Sequence, residues 1–123
     1  MGHSLGAAAI LLFAADHNPN KIVLVSPFTS LRDMACRMVG KPLCYLAKHN
    51  YDNRARLKEV VEKKPVPEIY IIHGSRDEVI PVTMGRELGE EFSAVVQYQE
   101  IPNSSHNTIF MLAEDQIFTA MSK

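Results

Sequence analysis

The stretch Gly2-His3-Ser4-Leu5-Gly6 places a serine between two glycines with the spacing G-x-S-x-G. The apolar run Leu5 to Ala15 (LGAAAILLFAA) follows it and predicts a buried helix. A serine on a sharp strand-to-helix turn needs neighbours without bulk, because the backbone must pass close to itself there. The stretch therefore predicts a turn that presents the Ser4 hydroxyl above a sheet.

The same apolar run has two other interpretations, both weaker. A secretory signal has Lys or Arg before its apolar stretch, whereas only Met1 to Ser4 precede this one. A bilayer-spanning helix needs about 20 apolar residues, which is more than the run provides. A buried helix of a cytoplasmic protein is the interpretation we favour.

Three further segments predict strands. Lys21 to Phe28 (KIVLVSPF) and Glu68 to His73 (EIYIIH) are nearly continuous apolar, β-branched runs, as expected of strands buried on both faces of a parallel sheet. Ala94 to Ile101 (AVVQYQEI) alternates more and stops at Pro102, which indicates an edge strand. We expect all three segments to be strands of one sheet.

Two amphipathic patterns predict helices, at Thr83 to Phe92 and at Asn107 to Met121. The order of elements is then helix, strand, long insert, strand, helix, strand, helix. This alternation is typical of an α/β domain with a mainly parallel sheet flanked by helices and joined by right-handed crossovers. We therefore expect residues 1–123 to form one domain.

The insert, residues 29–64, differs in charge from the rest of the chain. It holds nine of the 13 Lys and Arg residues but four of the 14 Asp and Glu residues. Such a charge run is usually a solvated face. The alternative is a basic lid that makes weak contact with an anionic membrane or an acidic protein.

Composition limits the partners and cofactors. The formal net charge of −1 excludes the basic excess that nucleic-acid binding needs, so a small molecule or another protein is the expected partner. Cys36 and Cys44 lack the paired spacing and the nearby histidines of a zinc site, and we expect reduced thiols and no metal. Oligomeric state is not predicted.

A nucleophilic serine needs a base, and the base needs an acid that orients it. Asp77 lies four residues beyond a predicted strand in the loop His73 to Pro81, and His106 follows the next strand within Asn103 to Asn107. Loops at the carboxyl ends of parallel strands form the sites of open α/β sheets. We therefore expect Asp77 and His106 to hydrogen bond in adjacent loops.

Each of these residues also has a simpler explanation. Asp77 alone would read as a turn acid and His106 as a polar residue before a helix. Glu78 is the alternative acid. We expect His73 to pack at its strand end and His3 to flank the nucleophile.

The segments Gly2 to Gly6, His73 to Pro81 and Ser104 to Asn107 resemble the α/β-hydrolase superfamily, with which they share the chain order Ser, Asp, His. Ser26 to Asp33 and Tyr51-Asp52-Asn53 resemble the depalmitoylase-like and serine aminopeptidase-like branch of that superfamily. The resemblance implies strands equivalent to the sixth to eighth of the family, with the insert as a short helical lid.

The resemblance also implies roles. Ser4 is the nucleophile, His106 the base and Asp77 the acid, while the Leu5 backbone N–H serves the oxyanion hole and Phe28 and His3 bind substrate. The implied reaction is hydrolysis of an acyl ester, thioester or amide, on a small molecule or an acylated protein, through an acyl-enzyme without cofactor or metal.

The sequence departs from the family before the elbow, where a family member has about five strands and this chain has Met1. We therefore expect a truncated α/β-hydrolase domain in which the apolar edge of the strand Lys21 to Phe28 is exposed. The second hypothesis is a catalytically silent fragment that acts as an interaction module.

Overall fold

The computed structural model describes residues 1–30, 32–34, 36 and 52–122. The described residues contain a four-stranded sheet in which every neighbouring pair of strands is parallel. The strands, in chain order and in spatial order, are β1 (Gly2–His3), β2 (Lys21–Val25), β3 (Glu68–Gly74) and β4 (Val96–Ile101). The predicted parallel α/β class is confirmed.

Five helices of the described residues flank this sheet. They are α1 (Leu5–Asp16), α2 (Asn53–Val61), α3 (Val82–Glu91), α4 (Ile109–Leu112) and α5 (Glu114–Ser122). Helices α1, α2 and α3 cover one face of the sheet, and α4 and α5 cover the other. Alternate residues of β2 and β3 enter the two cores, as the twofold period of a strand requires.

Helix α1 is packed so closely onto the sheet because it is rich in alanine. Ala7, Leu11 and Ala14 are fully buried against Leu24 and Ile71 of the two central strands. The small side chains of Ala7 and Ala14 let the axis of α1 approach the sheet, and Ser4 directly precedes this helix. The predicted buried helix is confirmed.

The structure corrects two predicted boundaries. Strand β2 ends at Val25 rather than Phe28 because Ser26 has a φ of 52°, outside the extended region that a strand needs. The predicted C-terminal helix is interrupted at Ala113 and forms two helices. The edge position predicted for the last strand is confirmed, since β4 pairs with β3 alone among the described strands.

The prediction of an exposed apolar edge on the strand beginning at Lys21 is wrong at its carboxyl end, where Leu24 and Val25 pair with Gly2 and His3 of the short strand β1. Lys21, Ile22 and Val23 have no strand partner on that side among the described residues. The four apolar side chains of β2 are at most 3% exposed because helices cover both faces. The unpaired part of the edge is therefore short, and its apolar side chains are buried.

The described ends of the insert are tied to the loop after β2. The Asn53 Nδ2 group donates a buried 2.9 Å hydrogen bond to the Phe28 carbonyl, and Asp52 forms an isolated β-bridge with Ser30. Asp52 also caps α2 by accepting from the Ala55 N–H. The predicted lid, residues 29–64, is described at residues 29–30, 32–34, 36 and 52–64, and its middle part, residues 37–51, lies outside the described residues.

The predicted reduced state of Cys36 is wrong, because Cys36 is disulfide-bonded in the structure. The sequence has one other cysteine, Cys44, which lies outside the described residues. Within the described ranges, no cluster of His, Cys, Asp and Glu side chains could hold a metal ion. No helix in the described part of the chain has the length and apolar character to cross a membrane.

Candidate active site

Ser4 lies between β1 and α1 in a backbone conformation that non-glycine residues rarely adopt, with φ 57° and ψ −116°. Two hydrogen bonds hold it there, since the Ser4 N–H donates to Val25 O and the Ala7 N–H donates to Ser4 O, both at 3.0 Å. Backbone strain of this kind persists where the surrounding structure fixes it, as in a nucleophile elbow. The elbow predicted from the sequence is present as a backbone conformation.

The two glycines around Ser4 have different roles. A Cβ on Gly2 would lie 2.4 Å from the Gly6 carbonyl oxygen and 2.7 Å from the Ala7 nitrogen, so the turn closes only over a glycine. A Cβ on Gly6 would meet no atom within 4 Å. The predicted need for a residue without bulk is confirmed at Gly2 and is wrong at Gly6.

Asp77 lies in the loop after β3 with a fully buried side chain. Its Oδ1 atom accepts backbone N–H groups from Val79 at 2.9 Å and Ile80 at 2.7 Å. Burial acts to raise the pKa of this carboxyl, but hydrogen bonds from His73, His106 and the two backbone groups outweigh burial and hold the pKa well below its usual range. The Asp77 side chain is therefore ionised, and the hydrogen-bond donors around it stabilise its negative charge.

His106 lies in the loop after β4, and its Nδ1 atom is 2.9 Å from Asp77 Oδ2. Because an ionised carboxylate can only accept, Nδ1 carries the proton, and Nε2 is left to accept a proton from another group. The side chain is 12% exposed, so one edge of the ring reaches the surface while the acid below it does not.

The loops that carry Asp77 and His106 are in direct contact. The Arg76 N–H donates to Ser104 O at 2.9 Å, and a Cβ on Gly74 would lie 2.3 Å from that same oxygen. A glycine at the end of β3 is therefore required for the two loops to approach. The predicted adjacency of these loops is seen in the structure.

His3 joins the elbow to the His106 loop. Its ring stacks on the His106 ring with centroids 4.6 Å apart, and Phe110 meets it edge-on at 4.9 Å. Burial, together with the like charge of His106, lowers the pKa of His3, although Asp77 acts in the opposite direction. Within the described residues, the Ser4 hydroxyl makes no hydrogen bond to His106. The described contact between the turn and His106 is thus made by His3, the residue before Ser4.

The other residues predicted for the site are Leu5, Phe28 and Glu78. Leu5 begins α1, where backbone N–H groups have no partner within the helix. Phe28 is 0% exposed and packs with Ala8, Ile80 and Met84, which leaves its side chain no surface for a substrate. Glu78 is exposed.

The sequence interpretation missed the contacts of His73. This residue on β3 is fully buried, and its Nε2 atom lies 2.8 Å from Ile80 O and 3.4 Å from Asp77 Oδ2. The spacing of four residues between His73 and Asp77 was the available signal, since it brings a strand-end side chain back under the loop that follows.

A cavity of about 390 Å³ lies away from this site, between the edge of the sheet and α5. Tyr70, Gln97 and Gln99 line it from the sheet, and Gln116 and Thr119 line it from the helix. None of Ser4, Asp77 and His106 contributes to it, so it is separate from the Asp77–His106 pair.

No protein-family model matches the chain. An uncharacterized protein of Mycobacterium tuberculosis is 33% identical over 107 residues, which are 86% of this chain and 36% of that protein. The human alpha/beta hydrolase domain-containing protein 17B is 29% identical over 108 residues, which are 88% of this chain and 35% of that protein. The chain thus spans about a third of the length of these relatives.

Among solved structures, the S-formylglutathione hydrolase FrmB of Staphylococcus aureus superimposes with a TM-score of 0.66 at 18% identity. The match covers 99% of this chain and 53% of that chain. A likeness at this identity concerns the fold.

Proposed function

The chain has the fold of the α/β-hydrolase superfamily, and on that premise we propose that it acts as a serine hydrolase on acyl esters or thioesters, with amides as a further class. The observation that carries the proposal is the buried 2.9 Å contact between His106 Nδ1 and Asp77 Oδ2. It leaves His106 Nε2 free to accept a proton, and the His106 ring stacks on His3, which directly precedes the strained turn at Ser4.

The proposed reaction has two halves. His106 Nε2 takes the proton of Ser4 Oγ as that oxygen attacks the acyl carbonyl carbon, and the Leu5 N–H donates to the oxyanion that forms. The imidazolium then gives its proton to the departing alkoxide or thiolate, which leaves the acyl group on Ser4. Water then attacks the acyl carbonyl carbon while His106 takes its proton, the bond between Ser4 Oγ and the acyl carbon breaks, and the imidazolium returns the proton to Ser4 Oγ as the carboxylic acid leaves.

Asp77 supports both halves without giving up a proton. Its charge stabilises the imidazolium, and its bond to Nδ1 fixes the tautomer in which Nε2 is free to accept. The low pKa of Asp77 suits this role, because the carboxylate stays charged wherever His106 can act as a base.

The substrates that we propose are small acyl compounds or acylated proteins. Thioesters are included because the structural neighbour in Staphylococcus aureus is named for a thioester, S-formylglutathione. The basic insert would face an anionic lipid or an acidic protein, since nine of the 13 Lys and Arg residues lie there. No cofactor takes part in the proposed reaction.

The proposal is tested with a fluorophosphonate probe, which reacts with an activated serine. We expect the chain to be labelled, Ser4→Ala to abolish labelling, and the exposed Ser93→Ala to leave it unchanged. Labelling that persists in Ser4→Ala would remove Ser4 from the role of nucleophile.

A second function is supported by a different observation, the exposed apolar side chains of the last two helices. Phe110, Met111, Phe118 and Met121 are 40% to 77% exposed, and large apolar side chains grouped at a surface are typical of interaction sites. A silent interaction module would use this surface. It predicts no probe labelling, together with oligomers in size-exclusion chromatography, whereas labelling of a monomer would argue against it.

A further inference from the structure

We propose that His73 is a positioning residue for the Asp77–His106 pair, and that it acts by donating its Nε2 proton to the loop that carries Asp77. This inference rests on the proposed hydrolase function. It assigns to a buried strand residue the task of presenting the acid to the base.

The tautomer of His73 follows from its hydrogen bond. Nε2 lies 2.8 Å from the Ile80 carbonyl oxygen, which can only accept, so Nε2 must carry the proton. The other ring nitrogen, Nδ1, has no hydrogen-bond partner and is buried. The same nitrogen lies 3.4 Å from Asp77 Oδ2, within reach of electrostatic attraction, but its one proton is donated to Ile80 O. His73 therefore holds the far end of the loop Asp77 to Ile80 by a hydrogen bond and lies against the acid at its near end.

The loop is closed at Ile80 from two sides. The Ile80 N–H donates to Asp77 Oδ1 at 2.7 Å, while the Ile80 carbonyl accepts from His73. Both backbone groups of one buried residue are thus bonded, one to the acid and one to the histidine beneath it. With Oδ1 committed to the loop, the carboxylate cannot rotate freely, and Oδ2 is left facing His106.

The position of the His73 ring depends on Gly85 of α3. A Cβ at Gly85 would lie 2.4 Å from His73 Nδ1 and 3.0 Å from its Cγ. Helix α3 therefore presses its backbone against the ring, and the ring has no room to turn away from Ile80. A histidine that only filled space would not need both Gly85 against its Nδ1 atom and the Ile80 carbonyl against its Nε2 atom.

Removal of the Nε2 donor has two consequences. The buried Ile80 carbonyl loses its partner, which is costly where water cannot replace it. Ile80 is then held only through its N–H, so the loop that fixes Asp77 Oδ1, and with it the direction of Oδ2, is less restrained. Gln carries an N–H₂ group at the position of Nε2, whereas Met has similar length and no donor, so His73→Gln and His73→Met form a matched pair.

The experiment is histidine-selective ¹⁵N NMR on the folded chain, combined with the rate of fluorophosphonate labelling. In the wild-type chain we expect His73 as the Nε2–H tautomer and a low-field proton signal from His106 Nδ1–H. We expect His73→Met to lose that signal and to slow labelling about 10-fold to 100-fold, as for a misplaced catalytic group. We expect His73→Gln to keep both.

Three results would overturn the inference. They are an Nδ1–H tautomer of His73 in the wild-type chain, an unchanged His106 signal in His73→Met, or equal losses in the Gln and Met variants. The tautomer of His73 is measured in the wild-type chain, so that result remains informative if His73→Met fails to fold. Gly85→Ala is a second way to displace the His73 ring, and we expect it to cause the same loss of the His106 signal. The NMR signals are read whether or not Ser4 reacts, so failure of the hydrolase proposal is recognised separately by absent labelling.

Discussion

The two oxygens of Asp77 serve different neighbours. Oδ2 lies 2.9 Å from His106 Nδ1, and Oδ1 accepts from the backbone N–H groups of Val79 and Ile80. One carboxylate therefore shapes its own loop with one atom and holds the imidazole with the other. Substitutions can separate these two contributions.

Asp77→Asn keeps an oxygen for the two backbone N–H groups but cannot accept the His106 proton with its amide nitrogen. We expect fluorophosphonate labelling to slow by about 10³-fold to 10⁴-fold, as for the acid of a serine triad, and the urea midpoint at pH 7 to fall, because the stability that the ionised carboxylate contributes is lost. The control is Glu78→Gln at the exposed neighbour, which should label normally. Loss of labelling in Glu78→Gln with retention in Asp77→Asn would make Glu78 the acid.

The low pKa of Asp77 predicts how stability depends on pH. A carboxyl whose pKa is depressed by folding contributes stability above its unfolded pKa and loses it as pH falls toward the folded pKa. With an unfolded pKa of about 3.9, this one group should cost about 1 kcal/mol of stability on going from pH 6 to pH 3. Urea unfolding should therefore show a smaller acid destabilisation in Asp77→Asn than in the wild-type chain. Equal losses in the two proteins would contradict the assigned shift.

The two glycines of the elbow should respond oppositely to alanine. Gly2→Ala places a methyl group against backbone atoms of Gly6 and Ala7, so we expect a loss of about 1–3 kcal/mol and no labelling of Ser4. Gly6→Ala places a methyl group in open space at the start of α1, where a gain of up to about 1 kcal/mol is expected. Thermal and urea unfolding measure both. A tolerated Gly2→Ala would show that the turn is not closed as described.

The buried amide of Asn53 should be important for stability rather than for chemistry. Its bond to the Phe28 carbonyl joins the start of α2 to the loop after β2. We expect Asn53→Ala to lower the free energy of unfolding by about 1–3 kcal/mol, since a buried carbonyl loses its partner. Asn107→Ala, at an exposed asparagine, is the control and should be nearly neutral. Similar losses in the two variants would make the buried bond unimportant.

Strands β2, β3 and β4 and the Asp77–His106 contact were predictable because they depend on local patterns and on one general property of parallel sheets. Strand β1, two residues long, was not predicted. The run at Lys21 has the composition of a buried strand, and the loops after β3 and β4 had to be neighbours. The break at Ala113 was not predictable, because the apolar spacing continues through it. The end of β2 depends on the backbone angle of Ser26, which residue type does not reveal.

Other features depend on what packs against a residue and could not be obtained from its type. Gly2 and Gly6 are equivalent in the motif, yet one faces backbone and the other faces open space. Phe28 follows a strand as a substrate-binding residue would, but the surrounding helices bury it completely. His73 was expected to fill space at its strand end, and its hydrogen bond to Ile80 O and its position against Asp77 depend on the loop that follows.

The parallel arrangement of all four strands also has a kinetic consequence. No two neighbouring strands are joined by a tight hairpin, so each ladder closes only after a long crossover has been brought back to the sheet. Chains with such non-local pairing fold slowly. Almost the whole described length separates Ser4 from His106, and the stacking of His3 on His106 can form only once both ends of the chain have docked. That stack is therefore a marker of completed folding, and the appearance of its ring-current shifts during refolding would time the final step.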